Sequence, residues 1–279
     1  MKIQKILGMI VLTAVTCAGS ALAQEPSADK INVPLSDPSR PAMLKIGLIG
    51  GSITVKGGGG KEVVVESRLR AGEDDGEEKS ERPKGLKLIP NRSSGLTVEE
   101  DDNVVSVSTG MRGGSITTDI TVRVPTNCSM NLSTVNDGDI SVDNVTGDLE
   151  INNTNGKVIL TNISGSATVH ALNEDLTASF VKVNPQKPMS FSSMNGKIDL
   201  TLPADLKATL SMKSEMGEIY SDFDMKVETS TAKTQENEKG KKGKFRISMD
   251  KLMRGSINGG GQEIQLTNFN GDIYIRKGK

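Results

Sequence analysis

The sequence predicts an all-β protein: a flattened solenoid with two parallel sheets and about 18–22 residues per coil. The first observation is a turn-plus-strand unit that recurs every nine residues. Gly138-Asp139-Ile140-Ser141-Val142 is followed by Gly147-Asp148-Leu149-Glu150-Ile151, then by Gly156-Lys157-Val158-Ile159-Leu160 and Gly165-Ser166-Ala167-Thr168-Val169. A degenerate fifth copy, Glu174-Asp175-Leu176-Thr177-Ala178, keeps the phase. A fixed period of this kind implies stacked units rather than a globular core. The second observation is strict alternation, as in Ile140/Val142, Leu149/Ile151 and Val158/Leu160, with almost no helical period anywhere.

The third observation is the charge pattern, which sets the coil length. Coils stack about 4.8 Å apart. A nine-residue coil would set Asp139 on Asp148, and directly opposed like charges destabilise a sheet. An 18-residue coil stacks Asp139 on Lys157 and Lys157 on Asp175, and sets Asp148 beside Ser166. Each exposed step of such a ladder contributes about 0.2–1 kcal/mol. Nine residues are also too few for two strands and two turns. The later Gly spacing, from position 174 to 196 to 217, fits one coil each. The inward set is Ile140, Val142, Val145, Leu149, Ile151, Val158, Leu160, Ile163, Val169, Leu172 and Leu176. Thr154 stands where its repeat neighbours carry Val145 and Ile163, which reads as a local weakness. The open ends of the stack require caps.

Along the chain, residues 1–23 read as a cleavable secretory signal. Lys2 and Lys5 precede the apolar run Ile6–Ala18, and Ala21-Leu22-Ala23 gives the small-x-small cleavage pattern. The run is shorter than the roughly 20 residues that span a bilayer, so no integral membrane segment is expected after cleavage. Residues 24–43 carry Pro26, Pro34, Pro38 and Pro41 and read as a linker or cap. Residues 44–279 read as one solenoid domain. Strand signals lie at Gly51–Val55, Glu62–Glu66, Leu86, Val104–Val107 and Ile116–Val124, before the nonapeptide block. Later copies are Gly196–Leu200, Gly217–Tyr220 and Gly271–Ile275. Polar, charged loops are expected near 71–84 and 228–244. Gly supplies left-handed backbone angles at the turns, and Asn136, Asn155, Asn195 and Asn270 beside it tolerate them.

Composition narrows the function classes. The formal net charge is −1, which gives no field for nucleic acid or an anionic membrane. There is no Trp, with two Tyr and five Phe, which argues against a sugar-stacking platform or a single-stranded nucleic-acid groove. Of the two cysteines, Cys17 leaves with the signal, so Cys128 cannot form an intrachain disulfide. A longer duplication places it: Ile120–Pro125 matches Ile198–Pro203, and Cys128 then matches Leu206. Cys128 therefore reads as a core-facing thiol.

Several of these segments resemble a family of exported bacterial β-strand-repeat proteins. They are Gly51-Ser-Ile-Thr-Val-Lys-Gly57 with Glu62–Glu66, Val124-Pro125 with Asn136–Val142, Ser193–Pro203, and Asn258-Gly-Gly-Gly with Asn270–Ile275. That family is known as candidate adhesins and as a domain of unknown function, and it is related to the head domains of autotransporter-like adhesins. The resemblance covers residues 44–279. It implies a right-handed β-solenoid and an envelope or surface location, and it supplies no catalytic residues.

Asp139, Asp148, Asp175, Asp199 and Asp272 suggest calcium, but calcium nonapeptides need repeated Gly-Gly-x-Gly-x-Asp turns, so turn and ladder roles fit better. His170 is the only histidine and its phase is outward, which excludes a His-based triad or multi-His metal site. Asp222 and Asp224 are the one tempting acid/base pair, two apart on a strand-like stretch, with no aromatic subsite beside them. No catalytic, cofactor or metal residue is assigned. The expected function is a non-enzymatic adhesin-like or scaffolding protein of the envelope, periplasmic or at the surface, whose partner is a protein or a surface glycan. The alternatives are an envelope-stress or signalling accessory and, behind it, a β-helix carbohydrate-active enzyme.

Overall fold

The computed structural model describes residues 29–70, 95–110, 117–236 and 246–279. The expected signal segment 1–23, the expected loop at 71–84, the strand signal at Leu86 and positions 237–244 of the second expected loop lie outside them. In chain order the strands are β1 (Asp29–Pro34), β2 (Ala42–Gly50), β3 (Ile53–Gly58), β4 (Glu62–Arg70), β5 (Leu96–Asp101), β6 (Val104–Thr109) and β7 (Thr117–Pro125). Then come β8 (Cys128–Asn136), β9 (Ile140–Asp143), β10 (Thr146–Asn155), β11 (Val158–Asn173), β12 (Leu176–Val183), β13 (Met189–Asn195) and β14 (Ile198–Leu202). The last are β15 (Ala208–Ser214), β16 (Ile219–Ser221), β17 (Lys226–Glu236), β18 (Arg246–Ile257), β19 (Gln262–Asn270) and β20 (Ile273–Lys277). No helix occurs among the described residues.

Strand pairing runs along two ladders. The long ladder has eleven strands in the order β5-β6-β2-β8-β10-β11-β13-β19-β15-β18-β17. The short ladder runs β1-β4-β7-β3-β9-β11-β12-β14-β20-β16. The 16-residue β11 belongs to both, pairing through Val158–Gly165 on the short ladder and Ser164–Asn173 on the long one. Neighbours are parallel except at the ends, where β5, the β4/β1 pair and the β18/β17 pair lie antiparallel. Antiparallel caps suit the ends because a hairpin reverses the chain without a crossover.

The register in the middle is the expected one. Ile140 pairs with Val158, Val158 with Leu176 and Leu176 with Ile198, steps of 18, 18 and 22 residues. Both ladders feed one hydrophobic core, with Ile140, Ile151, Leu160, Ile163 and Leu176 at 1 % exposure or less. Each such side chain contributes about 1.5–3 kcal/mol by burial.

At the two ends, rungs are not stacked in chain order. The first rung, β2/β3, slots between β6/β7 and β8/β9. The last rung, β19/β20, slots between β13/β14 and β15/β16. Hence the expected step from position 196 to 217 is wrong: Gly196 meets Gly271, and Gly271 meets Gly217. The β17/β18 hairpin carries the chain beyond β15 before it returns to fill the gap. The loop expected near 228–244 is likewise corrected in part, since Glu228–Glu236 continue β17 and pair with β18.

Two inward assignments are also corrected. Leu172 points outward at 40 % exposure, and the small Ala171 takes the buried place. Thr154 is the register neighbour of Leu172 on the outward side, so it is no gap in the Val145/Ile163 column. The physical reason is that alternate nine-residue copies lie on different ladders with different turns, so position nine residues on is not an equivalent site.

The turns differ from expectation in one respect. Asn136, Asn155, Asn195 and Asn270 end extended strands, and positive φ falls on the next residue: Asp137, Gly156, Gly196 and Gly271. The Asn side chains, with Asn173, instead bond to one another from rung to rung. Glycine follows because the adjoining rung fills the space of a Cβ; at Gly156 that atom would lie 2.0 Å from the Gly138 carbonyl oxygen.

Candidate interaction faces

Outward positions of the short ladder follow the same register as its core. Ile198, Ile273 and Ile219 stack inside, so the next residues, Asp199, Tyr274 and Tyr220, stack outside. Both tyrosines of the chain thus meet. Their rings stack with centroids 5.2 Å apart and planes 10° from parallel. Tyr220 is half exposed, on the last strand of the ladder. The Arg276 guanidinium lies 5.3 Å from the Tyr274 ring centroid. Asp199 holds it with a forked contact, accepting from Nε at 2.7 Å and Nη2 at 3.1 Å. This bond to Asp199 raises the Arg276 pKa further above its ordinary value.

Tyr274 is fixed from its other end. Its hydroxyl donates to Asp272 Oδ2 at 2.9 Å, while Asp272 Oδ1 accepts the Glu218 backbone N–H at 2.9 Å. The Glu218 amide and then the Tyr274 hydroxyl hold the Asp272 carboxyl below its ordinary pKa, and the carboxylate in turn raises that of Tyr274. The result is a rigid aromatic platform with a guanidinium beside it. Tyr and Arg are enriched at recognition surfaces; Tyr offers large contact area at low entropic cost, and Arg276 is already held by Asp199. The scarcity of aromatic residues conceals this platform in the sequence. The signal was present, since Tyr220 in Gly217-Glu-Ile-Tyr and Tyr274 in Gly271-Asp-Ile-Tyr occupy the same place in the unit.

Residues 89–276 match the Toastrack DUF4097 family. The chain belongs to that family. No curated protein matches it. Among solved structures, this Toastrack chain is similar to a candidate cell adhesion protein from Clostridium sporogenes, at 12% identity, with 91% of this chain and 100% of that one covered and a TM-score of 0.40. It is also similar to a candidate adhesin from Bacteroides fragilis, at 11% identity, with 90% and 98% covered and a TM-score of 0.32.

The turn carboxylates of the Toastrack sequence, Asp139, Asp148, Asp175, Asp199 and Asp272, have bonded partners. Asp139 and Asp175 accept the backbone N–H of Lys157 and Lys197 at 2.8 and 3.0 Å. Asp148 accepts from Lys187 Nζ and from Ser166 Oγ, both at 2.6 Å. These bonds, Lys187 first, lower its pKa. No three His, Cys, Asp or Glu side chains among the described residues converge on a metal-sized site. His170 is exposed, with Nδ1 2.6 Å from Ser192 Oγ.

Asp222 and Asp224 do not share a strand face. They flank a bend after β16, both exposed, with Phe223 buried between them. The bend forms because Ser221 Oγ accepts the Phe223 N–H, and Lys277 sits 5.4 Å over the Phe223 ring. Cys128 is fully buried, and desolvation pushes its thiol up to about 12.

Proposed function

We propose that this Toastrack protein is a non-enzymatic, adhesin-like or scaffolding protein of the bacterial envelope that binds a macromolecular partner, a protein or a surface glycan. The reading takes the two ladders as the flattened sheets of a right-handed solenoid. It takes residues 1–23 as an export signal, which delivers the chain to the periplasm or the cell surface. The observation that carries the binding role is the exposed Tyr220–Tyr274 stack with Arg276 alongside. An outward, prestiffened aromatic pair suits a partner surface better than a small substrate, because it lies on an open sheet face. The carboxylates that would serve acid/base chemistry are instead bonded within turns or lie apart on the surface.

The test is binding of the labelled chain to isolated envelopes and to arrays of proteins and glycans. Tyr220→Ala is expected to weaken binding at least tenfold while the melting temperature holds. Full binding by Tyr220→Ala would overturn the assignment to this platform. Turnover of an acidic polysaccharide would overturn the non-enzymatic reading. Protease shaving of intact cells reads the location.

A further inference from the structure

The long ladder has a second outward surface of different character. Register places Ile49, Val135, Thr154, Leu172, Met194 and Phe269 in one row across β2, β8, β10, β11, β13 and β19. Apart from Thr154, each is at least 40 % exposed. The row spans about 24 Å at the usual strand spacing. On one side runs a row of Gly47, Ser133, Asn152, His170, Ser192 and Thr267, and on the other Gly50 and the five-membered Asn ladder. Three rows across six strands hold no Asp, Glu, Lys or Arg, although a quarter of the chain is charged. Loss of charge around exposed apolar groups is the compositional mark of an interface centre.

The row also tapers. Its first half is β-branched (Ile49, Val135, Thr154) and its second half is long or unbranched at Cβ (Leu172, Met194, Phe269). A two-fold axis between Thr154 and Leu172 sets Ile49 against Phe269, Val135 against Met194 and Thr154 against Leu172 of a second copy. Each opposed pair then joins a β-branched side chain with a longer or aromatic one, and each contact is made twice, as in any isologous interface. With no charge in the patch, two like surfaces meet without repulsion. We infer that this face takes a second copy of the chain, packed two-fold through the Ile49–Phe269 row. The Tyr220–Tyr274 platform is on the other ladder, so pairing leaves it open in both copies.

Sedimentation equilibrium of the purified chain tests this. Wild type is expected to move from monomer to dimer as concentration rises. Val135→Lys and Met194→Glu each bury a charge against an apolar partner at two symmetric contacts, and each is expected to weaken association about 100-fold, roughly tenfold per contact. Both sites are outward, so at concentrations where wild type is itself monomeric the melts should match the wild-type temperature. Within one chain, positions 135 and 194 lie three strands apart, about 14 Å. Between copies they face each other, so a 1:1 mixture of the two variants is expected to restore a heterodimer. Wild type that stays monomeric would overturn the inference, leaving the row to some other partner. So would dimers indifferent to either charge. Monomeric variants that fail to complement would overturn the two-fold register.

Discussion

Asp139 Oδ1 accepts the backbone N–H of Lys157 at 2.8 Å, one rung along the stack. The charge pattern points to this neighbour, but the contact is carboxylate to amide rather than carboxylate to ammonium. The same bond recurs from Asp175 to the Lys197 N–H and from Asp272 to the Glu218 N–H. It works as a helix N-cap does, giving a turn amide an acceptor.

The asymmetry is measurable. Asp139→Ala leaves that amide without its acceptor and is expected to cost about 0.5–1.5 kcal/mol. Lys157→Ala keeps the amide and is expected to stay within about 0.5 kcal/mol of wild type. Urea melts of the two variants check it. Equal losses would mean the ion pair, not the turn bond, stabilises the rung.

Acid should weaken the fold through its bonded carboxylates. Asp148, held by Lys187 and Ser166, has a pKa below its ordinary value in the folded chain. A depressed folded pKa gives stability that is present above the unfolded pKa and lost as pH falls through the folded one. Stability is therefore expected to decline as pH drops below about 4. Asp148→Asn should start lower and decline less over the same range. Melting curves at stepped pH read the difference in slope.

Glu174 interrupts the turn column between Gly156 and Gly196, to which Gly138, Gly271 and Gly217 also belong. Its φ is 142°, a region that only glycine adopts without strain. Glu174→Gly is expected to stabilise by about 1 kcal/mol, raising the melting temperature by roughly 2–4 °C. Gly156→Ala is the converse, since its new methyl would meet the Gly138 carbonyl; a loss of more than about 3 kcal/mol is expected.

The sequence exposed the middle of this fold better than its ends. Between Ile140 and Leu176 the alternation, the charges and the glycines all specify the same register, and each reflects a contact with the next rung. At the ends the contacts are between segments far apart in sequence, such as Met189 with Ile264 or Leu44 with Met130. No local pattern encodes which rung fills a gap left by a hairpin. Leu172 illustrates a second limit. Hydrophobicity alone marks it as inward, but strand phase after Val169 and Ala171 turns it outward. The tyrosine platform needed both kinds of information, the repeat phase of each Tyr and the end rung order that makes them neighbours.

Cys128 should behave as a buried hydrophobe. Its ordinary pKa of 9.0 is pushed up to about 12 by desolvation. At neutral pH the thiolate, the reactive form, is then about a thousandfold scarcer than in an exposed cysteine. Maleimide labelling is expected to be negligible in the native protein and complete in denaturant. A raised folded pKa also means stability that holds below the unfolded pKa and is lost as pH rises through the folded one. Wild type should therefore lose stability between pH 9 and 12 more steeply than Cys128→Ala. Rapid native labelling would show that the thiol is not in the core.

The asparagine ladder offers the sharpest test of rung-to-rung cooperation. Asn173 donates to Asn155 Oδ1 at 2.9 Å and accepts from Asn195 Nδ2 at 2.8 Å, so its side chain is bonded on both sides. Asn136 stands at the end of the row and takes part only by accepting from Asn155 at 3.2 Å. Aligned amides polarise one another, as in stacked Asn ladders generally. Asn173→Ala breaks two bonds and is expected to cost about 1–2 kcal/mol, against roughly half that for Asn136→Ala. Asn173→Asp keeps the acceptor and loses the donor, so it should fall between the two. Chemical denaturation of the three variants ranks them. Equal losses at positions 136 and 173 would mean that each amide acts alone, bonded to its own turn rather than to the row.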